Sequence, residues 1–116
     1  MIRTAAERRV EEKNNHLGGN GHLVVRHLLL SPEEMLNKGR VFAHSTLEPG
    51  ASIGYHIHTG DCEIYYIVSG HGEINDNCEI RSVKAGDVTI TPDGHSHGLK
   101  NTGEEPLHFI ALILYA

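Results

Sequence analysis

From Val41 onward the chain is broken every few residues by glycine or proline, and the pieces between the breaks are short, β-branched and aromatic. They read as strands over Val41–Leu47, Ser52–His58, Glu63–Val68, Gly72–Asn75, Glu79–Val83, Asp87–Thr91, Ser96–Lys100 and Leu107–Tyr115. None is long enough for a helix of the usual length, and together with a strand at Leu23–Leu30 they predict an antiparallel sandwich or barrel. At 116 residues the chain has room for one core.

The N-terminal third is less regular. Thr4 and Glu7 have the spacing of a capping box, but the apolar residues Ile2 and Val10 are too sparse for a helical stripe, so an extended arm is expected. His16 to Gly21 (HLGGNG) reads as a flexible connector. Ser31-Pro32-Glu33-Glu34 has a serine cap, a proline in the first turn and a glutamate closing the box, which predicts one short helix near residues 32–38, ended by Gly39. The expected division is an arm, first strand and short helix over 1–40, packed on the rest or on a partner subunit, and a β-barrel over 41–116.

Composition excludes several functions. The chain has 10 Lys and Arg against 15 Asp and Glu, a net charge of −5, and no basic stripe, so no nucleic-acid partner is expected. No apolar run approaches membrane-spanning length, and the first residues lack the apolar stretch of a signal peptide, so no membrane partner and a cytoplasmic location are expected. Cys62 and Cys78 form neither a C-x-x-C pair nor a zinc spacing and are expected as free thiols. The last strand is apolar on both faces, Leu107, Phe109, Ala111 and Ile113 on one and Ile110, Leu112 and Leu114 on the other. The extra face needs a cover, and a second copy of the chain, making a homodimer, is expected ahead of the arm and helix.

Ten histidines are many for a chain of this size. Side chains at i and i+2 of a strand share a face, so His56 and His58 can aim at one point while Glu63 returns on the next strand. A third imidazole comes from the segment after Pro92-Asp93-Gly94. His97 lies inside the following strand and is preferred, and His95, of the same parity, is its competitor. Three imidazoles and a carboxylate suit one divalent transition metal ion (Mn, Fe, Ni, Co, Cu or Zn), and without an ion their joint burial would be costly. Strand parity adds Tyr65 beside Glu63, Leu99 beside His97, and Phe42, His44 and Thr46 on one face of their strand, as candidate pocket residues. His44 is the further acid–base candidate among these. His16, His22, His27, His71 and His108 read as solvated or edge positions.

Gly50, His56, His58, Glu63 and Gly70 stand at the spacing G-x5-H-x-H-x4-E-x6-G, and Gly86, Pro92, Gly94, His97 and Asn101 at G-x5-P-x-G-x2-H-x3-N. In these residues the chain resembles the cupin superfamily, small single-domain cupin-2 type. The resemblance implies an all-β antiparallel jelly-roll barrel, a metal ion held by His56, His58, Glu63 and His97, and a mostly dimeric assembly. It does not imply one activity, since cupins include oxygenases, decarboxylases, isomerases, sugar-sensing regulators and storage proteins. A small metalloenzyme acting on an oxygen-rich metabolite that chelates the ion is expected, with a non-catalytic metal-dependent or sugar-binding sensor as the alternative.

Overall fold

The computed structural model describes all 116 residues. Its strands are β1 (Arg9–Asn14), β2 (His22–His27), β3 (Gly39–Leu47), β4 (Ser52–Ile57), β5 (Asp61–Ser69), β6 (His71–Asp76), β7 (Glu79–Lys84), β8 (Val88–Thr91), β9 (Ser96–Asn101) and β10 (Leu107–Tyr115). They form a six-stranded sheet in the order β1-β2-β3-β10-β5-β8 and a four-stranded sheet in the order β4-β9-β6-β7, with every pair antiparallel. The jelly-roll fold is the expected one, but the two sheets face each other without closing into a hydrogen-bonded ring.

The core lies between the sheets. Alternate residues of each strand point into it, among them Leu47, Ile67, Leu99, Leu107 and Phe109, all at most 1% exposed. Each such side chain contributes about 1.5–3 kcal/mol on burial. Because β10 sits in mid-sheet between β3 and β5, its inward face (Leu107, Phe109, Ala111, Ile113) is fully covered while its outward face is half-buried.

The N-terminal arm is a strand for much of its length. β1 pairs with β2 from Arg9↔His27 to Asn14↔His22, and β2 pairs with β3, so residues before 40 extend the wide sheet. β1 has no apolar alternation because it is an edge strand, with Val10 outside and Glu11 and Lys13 half-buried. The helix expected over 32–38 is a single 3-10 turn, Glu33–Met35. Leu36 and Asn37 both take positive φ and end it at once. Glu34 instead accepts from Leu30 N–H at 2.6 Å and from Arg3 at 2.7 Å, and the turn itself has no side-chain cap. No helix is long and apolar enough to cross a membrane, and both cysteines are free.

Candidate metal centre

His56, His58, Glu63 and His97 come together from three strands and the turn after β4, with one ligand atom from each within 4.8 Å of the others. A β-bulge makes this possible. Ile53 pairs with Leu99 and His56 with His97, so β4 spends three steps where β9 spends two. Ile53 therefore faces the core together with His56 and His58, although strict alternation from Ile53 would have turned both imidazoles to solvent. Tyr55 and Ile57 take the exposed side. His58 is held by the β8–β9 turn, whose His95 O accepts from His58 N–H at 2.9 Å and whose Gly94 N–H donates to His58 O at 2.7 Å. That turn keeps the His95 side chain exposed, while His97 is fully buried.

Each imidazole is held through Nδ1. His56 Nδ1 donates to Gly54 O at 2.7 Å, His58 Nδ1 donates to Asp61 Oδ1 at 2.7 Å, and His97 Nδ1 lies 2.8 Å from Thr91 Oγ1. Asp61 is itself steadied by Arg40, whose Nε–H donates to Oδ2 at 3.0 Å. This support leaves the Nε2 atoms facing one another, as ligating histidines require. His58 Nε2 is 3.1 Å from His97 Nε2 and 3.1 Å from Glu63 Oε1, and His97 Nε2 is 3.0 Å from Glu63 Oε1.

With Nδ1 committed to acceptors, a neutral His58 presents a lone pair to the Glu63 carboxylate, so a proton or a cation must lie between them. The spacing of His58, His97 and Glu63 fits a cation, because two donors at right angles about 2.1 Å from one ion stand about 3.0 Å apart. Without an ion the protons respond. Burial pushes the Glu63 carboxyl up, but hydrogen bonds from His58 and His97 overcome that and hold it at about 2. Glu63 in turn raises the His58 pKa, against burial and with help from Asp61. Burial lowers that of His56.

The centre opens into a cavity of about 670 Å³ under β1, β2, β3 and β10. Tyr65 lines it, stacked on His97 with ring centroids 4.9 Å apart, and its hydroxyl pKa is raised by burial beside the Glu63 charge. Leu99 lies in the core and not on the cavity wall. Phe42, His44 and Thr46 do not line it either. From β3 the cavity takes Val41 and Ser45, of opposite parity, and Arg40 beside the register shift at the start of the strand. The bonds of the other set lie outside, His44 Nε2 to His108 Nδ1 at 2.9 Å and Arg26 to Thr46 Oγ1 at 2.8 Å. Strand parity alone does not say which face of β3 is inward, and the inference for Phe42, His44 and Thr46 took the wrong one.

Sequence reasoning missed other cavity residues: Arg40 and Asp61, the His27–Glu11 pair, and His16. The spacing of Asp61, three after His58, was the available signal. Arg40 is placed by its bond to Asp61, and the rest depend on β1, whose pairing with β2 is not written in any apolar pattern.

A family model described as a cupin domain matches residues 43–113. The chain belongs to the cupin family. Over 114 residues, 98% of this cupin and 93% of the relative, it is 45% identical to an oxalate-binding protein from Thermotoga maritima. A solved Thermotoga maritima structure described as a predicted oxalate decarboxylase superposes with a TM-score of 0.94 at 44% identity, over the whole of both chains. An RmlC-like cupin from Shewanella frigidimarina shares the fold, with a TM-score of 0.69 at 20% identity over 93% of this chain and 86% of that one.

Proposed function

We propose that this cupin holds one divalent transition metal ion through His56, His58, Glu63 and His97 and uses it to take up a small bidentate carboxylate, oxalate or a close chemical relative. The observation that carries the proposal is the convergence of three Nε2 atoms and a carboxylate whose other hydrogen bonds leave their lone pairs facing one another. When bound, the ion would supply Lewis acidity and open positions for oxygen ligands. Charge supports a dianion: Arg9, Lys13 and Arg40 on the cavity wall balance Glu11, Asp61 and Glu63, so a divalent ion leaves two positive charges for the ligand to neutralise. The oxalate-binding relative at 45% identity points to the same chemistry.

Elemental analysis and calorimetry with oxalate test this reading. About one equivalent of divalent metal after dialysis and saturable oxalate binding that vanishes in His58→Ala are expected. A wild-type protein that takes up none of Mn, Fe, Co, Ni, Cu or Zn would overturn it. A second reading, in which the bound acid is turned over by decarboxylation, oxygenation or isomerisation, is favoured by the likeness to the structure described as a predicted oxalate decarboxylase. Release of carbon dioxide or formate supports turnover, and oxalate recovered unchanged supports a binding or sensing role.

The proposal includes the assembly. Outward residues Tyr66, Val68, Val88 and Ile90 are exposed and apolar, and they adjoin the half-buried Ile110 and Leu112 across β8, β5 and β10. A second copy of the chain covers such a face with one self-complementary patch. The two free cysteines suit a reducing compartment, so a cytoplasmic location belongs to the same reading.

A further inference from the structure

His16 has a position that the four-residue centre leaves unexplained. It opens the 3-10 turn His16–Gly18 between β1 and β2, and its side chain lines the cavity. The charges of His56 and Glu63 and those of Lys13 and Glu11 all reach it, so it stands near both the ligand set and the polar cluster of β1. It is half-buried, and no hydrogen bond engages its ring. Burial, followed by Lys13 and His56, lowers its pKa, so near neutral pH it offers one N–H donor and one acceptor.

The loop that presents His16 is built at a conformational cost. Asn15 and Leu17 both sit at φ 53, in the left-handed region that side chains disfavour. Gly21 N–H donates to Asn15 Oδ1 at 3.0 Å, and Asn15 N–H to Gly21 O at 2.9 Å. The loop is fastened to the strand that carries His56. Ser52 N–H donates to Asn20 O at 2.7 Å, and Asn20 N–H to Ser52 Oγ at 2.9 Å. The contact is so close that a Cβ on Gly54 would lie 1.9 Å from Leu17 O, and one on Gly19 would lie 2.1 Å from Ser52 O. A flexible connector requires none of this. The arrangement aligns a free imidazole with the metal-ligand strand.

We propose that His16 is a ligand-contacting residue, whose imidazole donates a hydrogen bond to an outward oxygen of the carboxylate bound at the centre. The inference rests on the metal-dependent reading and assigns the ligand a second recognition point, supplied by the chain before β2. The chemical class is a small acid such as oxalate, which keeps carboxylate oxygens free for a neutral donor after it chelates.

The test uses manganese-loaded wild type with His16→Ala, His16→Asn and His16→Gln, and reads manganese content, melting temperature and oxalate affinity by calorimetry. The expected result is full manganese content in all four proteins, an oxalate affinity at least tenfold weaker in His16→Ala, and recovery in whichever of Asn or Gln returns an N–H to the right place. A His16→Ala affinity within twofold of wild type overturns the proposal. So does loss of manganese in the variants, which would put His16 among the metal ligands. A wild type that is fully loaded yet indifferent to oxalate overturns it while leaving the metal centre standing, and a wild type that takes up none of Mn, Fe, Co, Ni, Cu or Zn overturns both.

Discussion

His58 lies between two carboxylates, with Asp61 on Nδ1 and Glu63 on Nε2. This makes the metal-free centre a proton site, and the sign of each shift sets where it is stable. The His58 pKa is raised, so its contribution is complete below the unfolded imidazole value of about 6.5 and is lost as the pH rises through the folded one. The Glu63 pKa is depressed to about 2, so its contribution is present above the unfolded carboxyl value of about 4.3 and is lost as the pH falls towards about 2. The pair's contribution without metal is therefore complete between about pH 4.3 and 6.5, and a cation has to replace the proton once the pH passes the raised folded value of His58. Manganese is expected to raise the melting temperature little at about pH 5.5 and by several degrees at about pH 8. Thermal melts with and without the ion at both pH values check this, and an equal gain at the two would contradict the role given to His58.

At the scale of elements, β4 has the most demanding task. It must keep Ile53 in the core and still deliver His56 and His58 to the centre, and the bulge at Gly54-Tyr55 reconciles the two. Gly54 serves twice there, because its carbonyl accepts from His56 and its missing side chain admits the loop at Leu17. Gly54→Val is expected to cost about 1–3 kcal/mol by overpacking and to weaken metal binding at least tenfold. Denaturant melts and a metal titration read the two effects, and a variant with native metal affinity would show that the bulge does not aim His56. The 3-10 turn Glu33–Met35 shows the opposite relation between signal and outcome: good capping residues stand there, but β3 begins at Gly39 and no room remains for a second turn.

For the whole molecule, the two sheets divide their faces unequally. The wide sheet has an inner face shared between core and cavity and an outer face that is largely apolar over β10, β5 and β8. Light scattering after size exclusion is expected to give about twice the chain mass of 12.8 kDa. The double change Tyr66→Asp with Ile90→Lys should halve it without altering metal content, since neither residue lines the cavity. A wild type that runs as a monomer at tens of micromolar would remove the second copy from the account.

The strand-and-turn rhythm was enough to indicate an antiparallel sandwich or barrel, which the resemblance to the cupin superfamily narrowed to a jelly roll, and the spacing of the histidines and Glu63 brought His56, His58, Glu63 and His97 forward as candidate ligands. Both are local patterns, because i and i+2 on a strand share a side whatever the strand pairs with. Which side faces inward is not local. The pairing of β3 with β2 and β10 turned Val41 and Ser45 to the cavity and left Phe42, His44 and Thr46 outside. The β4 bulge, the edge pairing of β1 and the seating of the His16 loop against Gly54 likewise arise from contacts between segments distant in the chain. Periodicity records the faces of a strand, and only the packed sheets decide which of them meets the ligand.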